Sequence, residues 1–465
     1  MKHTQVFLFA KFACLIPFLA CQAQSLTVLH TFKGGKDGAY PLPGSAAAFV
    51  SDANGDLYGE TAGTDVATDF GTIFELVPPQ AGQTKWAELV LYRFKGGADG
   101  DYPGSALLED GNGGFYGTTF EGGVGSCSPL GTAAGCGTVF DLSPPLAGKT
   151  AWREQVLYRF QAGADGGTPA GNVISNSNGA LYGMTSAGGG GACDVIGPGC
   201  GTVFRLDLPA PGKRIWTETV LYAFQGGSDG DFPEAGLTLD ASGDLYGTTS
   251  YGGTSGCGGV GCGTVFQLSP PQAGQTAWTE TVLYRFQGGA DGGLPQPAPV
   301  FNSAGDLLGT TLIGGSGYGT VYKLVPPKLG HTKWAETVLY AFQGGTDGAD
   351  PNAGLSADGG GSYVTTTYYG GTGSCAFANG PTGCGTVVKL TPPAKGSKVW
   401  TETVLHSLNG TNEGTIAGAG IFVGSGGVLY SASGVGGNPL YCTGTSAVAP
   451  GCGTAFSVSP LTGAR

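Results

Sequence analysis

The stretch Trp278-Thr279-Glu280-Thr281-Val282-Leu283-Tyr284-Arg285-Phe286-Gln287-Gly288-Gly289-Ala290-Asp291-Gly292-Gly293-Leu294-Pro295 decides the architecture, because the chain repeats it. All six tryptophans take the same place in their copies: Trp86, Trp152, Trp216, Trp278, Trp334 and Trp400. Aligning on the valine before Leu-Tyr adds Val28, Val90, Val156, Val220, Val282, Val338 and Val404. This gives seven units of about sixty residues, the last of them worn. A repeat running through nearly all of the chain overrides the two or three domains that its length suggests, and residues 24–465 are expected to form one closed domain.

Each unit carries four strand signals: one after the proline (Gly236 to Asp240), one of the Leu-Tyr-Gly-Thr-Thr type (Leu245 to Thr249), one at Gly263 to Leu268 and one at Trp278 to Phe286. Alternating, β-branched and aromatic residues support all four. Asp240, Ala241, Ser242 and Gly243 suit a tight hairpin, as do Asp52 to Gly55 and Asn302 to Gly305. Pro270 and Pro271 end the third strand, since proline cannot donate to a ladder. Helical periodicity is absent. Seven units of four antiparallel strands predict an all-β, seven-bladed β-propeller, with a β-solenoid as the runner-up.

The small residues Ser45, Ala46, Ala47 and Ala48 suit a crowded axis, which places the strand after the proline innermost and the Trp and Tyr strand outermost. Leu26 to Phe32 is then an outer strand without its own inner three, while the last strand, Gly453 to Val458, is a third strand followed by Pro460. Pairing the two ends completes the seventh blade and removes an open sheet edge.

Composition narrows the setting. With 91 glycines and 12% charged residues the chain borders on low complexity, yet the regular return of Val, Leu, Tyr and Phe supplies a core. The formal charge is -12, and no basic stripe runs along the sequence. That argues against nucleic acid and anionic membrane surfaces as partners. Lys2, Lys11 and the apolar run Phe12 to Ala20 read as an export signal over residues 1–23, cleaved after Ala23. The alternative is a lipid-anchored Cys21 in the imperfect lipobox Phe18, Leu19, Ala20 and Cys21. No later apolar run is long enough to span a bilayer. Exported, secreted or periplasmic and cell-surface locations follow, with a monomer as the expected state.

Ten cysteines fall as five close pairs at one repeat position: Cys127 with Cys136, Cys193 with Cys200, Cys257 with Cys262, Cys375 with Cys384, and Cys442 with Cys452. Two units lack both members and read Phe70-Gly71 and Tyr318-Gly319 instead. Loss as a pair predicts disulfides; varied spacing and the lack of nearby histidine weigh against the rival metal reading. Each short loop should contribute roughly 2 to 3 kcal/mol.

The motifs Phe224 to Pro233, Gly243 to Thr249, Gly252-Gly253 and Gly263 to Phe266 together resemble the tandem GloVer repeat of exported bacterial proteins. The resemblance covers Leu26 to Pro460, although Asn409, Gly410, Thr411, Asn412 and Glu413 replace the glycine-aspartate motif in the last copy. It implies export and repetition, with no established reaction or catalytic residues. Family members are described with varied surface anchors; the chain ends close to its last strand, so no C-terminal anchor is expected.

Strands of alternating direction place the cysteine loops and the Gly-Gly-x-Asp-Gly loops on one face. Variable loops on a repeated scaffold are the usual place for binding, so this face is the expected site. Asp37, Asp99, Asp165, Asp229, Asp291 and Asp347 recur there, with Glu413 near the seventh place. Such a ring would bind calcium or glycan hydroxyls, or else each Asp caps its own turn. Asp52 to Asp56 is read as a hairpin rather than a calcium loop, its glycine being misplaced for an EF-hand.

Tyr58, Tyr116, Tyr182, Tyr246 and Tyr430, and likewise Tyr92, Tyr158, Tyr222, Tyr284 and Tyr340, repeat as packing residues do. Tyr251, Tyr368, Tyr369 and Tyr441 do not repeat and are better binding candidates. Catalytic constellations mostly fail. His30, His331 and His406 are too few for a histidine metal site or a triad, no Gly-x-Ser-x-Gly elbow occurs, and Gly148-Lys149-Thr150 is a surface turn.

The expected function is therefore non-catalytic binding of an extracellular polysaccharide or protein through the variable disulfide-closed loops, without a cofactor unless calcium. The alternatives are a polysaccharide-active hydrolase or lyase using paired carboxylates, and a structural envelope protein.

Overall fold

The computed structural model describes residues 24–459 except 42–46, 65–67, 128–134, 194–198, 378–380, 416–417 and 443–449. The export signal, the Cys21 anchor, the Ser45-Ala46 part of the first inner strand and Pro460 lie outside the described residues. The described chain is a seven-bladed β-propeller with four-stranded antiparallel blades. We number the blades by residues 50–93, 108–159, 174–223, 238–285, 300–341, 356–407 and, for blade 7, 422–458 with 26–31. Blade 4 is typical, its strands in spatial order being Thr238–Leu239, Leu245–Thr249, Thr264–Ser269 and Thr279–Arg285. In blade 2 an extra strand, Asp101–Pro103, also pairs with Phe115–Glu121. No helix among the described residues is long and apolar enough to cross a membrane.

Blade 7 closes the ring as the repeat predicts. Leu26 pairs with Val458 and Thr31 with Thr454, so the N-terminal strand becomes the outer strand of the C-terminal blade. The first strand of each blade is shorter than expected: Gly236 to Asp240 reduces to Thr238–Leu239. The reason is crowding at the axis. A Cβ on Gly171 would overlap the Ala235 carbonyl of the next unit, so backbone packs on backbone there and leaves little room for a ladder. Ala47 bridges Gly420, and Thr238 donates to the Pro299 carbonyl at 2.6 Å, tying neighbouring blades together. What remains open is a cavity of about 140 Å³ lined by Ala47, Gly236, Ala298, Gly354 and Gly420 among others.

The outer strand seals two seams at once. Trp278 reaches back to Tyr182 of blade 3, with ring centroids 6.4 Å apart. Phe286, fully buried at the other end, packs edge-on against Tyr322 of blade 5 at 5.1 Å. Phe32 with Phe74, Phe94 with Phe140, Phe160 with Phe204 and Phe224 with Phe266 repeat the forward contact. Each such edge-to-face pair adds about 0.5–1.5 kcal/mol beyond the area it buries. Gly247 faces Phe266 across the sheet, and a Cβ there would lie 2.6 Å from the ring, which explains the glycine of Leu-Tyr-Gly. In blade 6 both partners change together, Thr365 facing Val388, and the volume is conserved.

Candidate functional site

The cysteine loops follow the second strands and the glycine-aspartate loops follow the outer strands, and the fold brings them together on one face. Each of the five cysteine pairs forms a disulfide. Gly226 lies against Cys193–Cys200 and Gly288 against Cys257–Cys262. In the two units without cysteines, the Phe70 ring covers Gly96 and the Tyr318 ring covers Gly344. An aromatic side chain therefore does by packing what the disulfide does elsewhere. The sequence held this signal, in that both cysteines vanish where the aromatic residue appears.

The repeated aspartates are engaged locally. Asp229 accepts the Gln225 backbone N–H at 2.7 Å and the Tyr222 hydroxyl at 2.7 Å. Asp99, Asp165, Asp291 and Asp347 repeat both bonds, their tyrosines being Tyr92, Tyr158, Tyr284 and Tyr340. Asp37 takes the Lys33 N–H and bonds His30, and Glu413 takes the Asn409 N–H and bonds His406, so histidine replaces tyrosine in these two units.

Across each seam, these aspartates face a glutamate two residues after the tryptophan of the next blade. Glu88, Glu154, Glu218, Glu280, Glu336 and Glu402 are raised to about 7, 8, 7, 7, 7 and 8, first by burial and then by Asp37, Asp99, Asp165, Asp229, Asp291 and Asp347. Ligand atoms of His30, Asp37 and Glu88 lie within 4.8 Å of one another, in the same arrangement with histidine in the tyrosine's place. Asp52 accepts the N–H groups of Asn54 and Asp56, which makes that stretch a hairpin.

The unrepeated chemistry gathers nearer the axis on the same face. The residue before the motif proline is left-handed in six units: Tyr40, Tyr102, Thr168, Phe232, Leu294 and Asp350 have φ between 53° and 59°. Such a conformation costs non-glycine residues about 1–2 kcal/mol each. It is imposed from both sides. Phe232 N–H donates to the Cys200 carbonyl of the preceding blade, and its own carbonyl accepts from Ser250. Asp350 is clamped in the same way by Tyr318 and Tyr368. The backbone is thus held while the side chain changes from unit to unit.

Around these positions, Glu234 accepts from Ser250 at 2.8 Å and from Gln296 at 2.7 Å. Burial pushes its carboxyl up to about 7, against the lowering effect of those two bonds. Burial likewise pushes the Tyr368 hydroxyl up to about 12, although Asn352 bonds it; Tyr102, Tyr369 and Glu234 lie within its electrostatic reach. Because Tyr102, Glu234 and Tyr368 belong to blades 2, 4 and 6, their convergence marks the mouth of the axis. Burial also raises Asp101, Asp231 and Asp350 to about 6, with Glu121 adding to the effect at Asp101. None of these mouth residues is Lys or Arg.

Of the expected aromatic candidates, Tyr251 stacks on Phe232 at 5.6 Å and Tyr368 stands in the mouth. Tyr369 turns toward Phe377 of the blade 6 disulfide loop, and Tyr441 packs at the blade 7 core. Glu234, Gln296, Asn352 and Tyr102 were missed by the sequence reading. Their signal was available as the two variable columns that flank the repeated proline, where the residue changes from unit to unit.

A sequence profile described as Gloeobacter/Verrucomicrobia repeat matches residues 18–260 and 125–378. The chain belongs to this family. No curated protein matches the sequence significantly. Among solved structures, two of an ulvan lyase, described as a new family of polysaccharide lyase, align over 88% of this chain and 90% of theirs, at 12% identity and a TM-score of 0.47. One of the two is bound to a saccharide. A likeness at this level carries no argument about chemistry.

Proposed function

We propose that this repeat-family propeller is an exported binding protein whose ligand is a neutral, hydroxyl-rich extracellular glycan, held at the axial mouth of the disulfide-loop face. The convergence of Tyr102, Glu234 and the pair Asn352 and Tyr368 from blades 2, 4 and 6 supports this reading. Carboxyl and amide groups beside aromatic rings suit sugar hydroxyls and sugar faces, and the lack of Lys and Arg among the described residues named at the mouth disfavours an anionic chain there. The five disulfides fit an extracellular or periplasmic setting. With the repeated aspartates already accepting two hydrogen bonds each, calcium is not part of the proposal.

A second reading, an enzyme acting on polysaccharide, draws on Glu234, whose carboxyl near 7 is in the range of a general acid or base. One experiment separates them. The purified protein is passed over neutral and anionic polysaccharides, with calcium and with chelator, and retention and released sugars are scored together. Retention without release, weakened about tenfold or more in Glu234→Gln and Tyr368→Phe as two buried hydrogen bonds change, supports binding. Release abolished by Glu234→Gln replaces it with the enzyme. Finding neither retention nor release on any glycan removes both.

A further inference from the structure

The face opposite the disulfide loops carries a charge pattern that the linear sequence conceals. Six hairpins join third to outer strands, at residues 78–86, 144–152, 208–216, 270–278, 326–334 and 392–400. They contain Lys85, Lys149, Lys213, Arg214, Lys328, Lys333, Lys395 and Lys398, and not one Asp or Glu, in a chain whose formal charge is -12. All eight cationic residues are exposed, and none takes part in an ion pair found among the described residues. The same tips hold out Leu146, Ile215, Leu329 and Val399, with relative exposures of 57%, 81%, 104% and 73%.

Ring closure turns these tips into one rim. The place of a seventh hairpin is taken by Ser25 and Ser459, which bond each other, so the chain enters the fold on this rim. The cationic and apolar tips run through blades 5 and 6, past that junction and Lys85, to blades 2 and 3; only the blade 4 tip has neither character. Most of the acids on this face sit in or beside the short inner hairpins, Glu109 being exposed there, while Asp207 at the base of the blade 3 tip pairs with Arg205. Asp52 and Asp240 cap their turns, while Asp306 and Asp358 pair with Lys323 and Lys389. The longer outer tips meet a flat partner first.

We propose that this rim docks the propeller onto an anionic lipid bilayer. The lysines and Arg214 lie against headgroup phosphates, and Leu146, Ile215, Leu329 and Val399 enter the boundary between headgroups and acyl chains. Exposed aliphatic side chains beside cations fit a lipid interface. The tryptophan that ends each hairpin is partly buried, Trp278 for one packing into the seam against Tyr182, so the exposed tips hold out aliphatic side chains rather than rings to a soluble anionic glycan. The docked orientation turns the disulfide-loop face and its mouth away from the membrane, toward an extracellular ligand.

The test is co-sedimentation of the whole protein with phosphatidylglycerol–phosphatidylethanolamine vesicles and with phosphatidylcholine vesicles, at low and high salt. The expected result is partition onto the anionic vesicles alone, weakened about tenfold or more by salt as the surface potential is screened. A K213Q/R214Q/K328Q/K333Q variant should bind about 600-fold more weakly, since each of the four cations near an anionic surface contributes roughly fivefold. An I215S/L329S/V399S variant should lose vesicle binding but leave capture by soluble dextran sulfate unchanged. Because these side chains are exposed, both variants should melt with the parent. No partition onto anionic vesicles, equal partition onto phosphatidylcholine, or vesicle binding indifferent to the apolar triple change would each overturn the proposal. The last result, with dextran sulfate captured, would assign the rim to a polyanion.

Discussion

The six seam glutamates make a quantitative prediction about pH. Each has its carboxyl raised from the usual range to about 7 or 8 by burial and by the aspartate across the seam. The folded state therefore binds these protons more tightly than the unfolded chain. The resulting stability is fully present below about pH 4.5 and is lost as pH rises through about 7 to 8. A rise from the usual range to about 7 or 8 would amount to about 4 kcal/mol per site in full burial, but these side chains are only partly buried, and solvent screening leaves about 1 kcal/mol each. For a chain of 465 residues the entropy of unfolding is about 1 kcal/mol/K, so each site moves Tm by about 1 °C and all six by about 6 °C.

Calorimetric melts at constant ionic strength from pH 5 to pH 9 should show that fall, beneath a further decline from Asp101, Asp231, Asp350 and Glu234, which are raised too. The variant Glu154→Gln with Glu402→Gln isolates the seam. It should melt with the parent at pH 5 and about 2 °C above it at pH 9, because glutamine keeps the shape of the protonated acid and never ionises. A variant whose curve stays parallel to the parent's across that range would refute the reasoning.

Two further predictions follow from the loops. Gly230→Ala places a Cβ 2.7 Å from the Thr249 hydroxyl, at φ 127°, and should cost about 2–4 kcal/mol. Gly227→Ala, at φ 57° with no atom within 4 Å, should cost only about 1 kcal/mol, and equal losses of Tm would show that the threonine pocket does not decide the glycine. Replacing Cys193 and Cys200 by serine should cost about 2–3 kcal/mol, and Phe70→Ala a similar amount. Denaturant melts of the two variants would then match; a neutral Phe70→Ala would mean that its ring does not take over from the disulfide.

The sequence alone determined the blade count, the strand order, the closure of blade 7 and the pairing of the cysteines. These follow from relations inside one period, where a residue and its partner recur together. The aspartate ring was legible in the same way: a tyrosine stands seven residues before each of Asp99, Asp165, Asp229, Asp291 and Asp347, and His406 stands seven before Glu413. The tertiary structure decided which residues of different units meet. Tyr102 and Tyr368 are far apart in the chain yet share the mouth, because a closed ring brings unrepeated side chains to one axis from several blades. Likewise Asp99 and Glu154 become neighbours only across a seam, and eight scattered cations become a rim only once their hairpins share a face. A linear repeat fixes what each blade is. Radial position and ring closure fix what the blades do together.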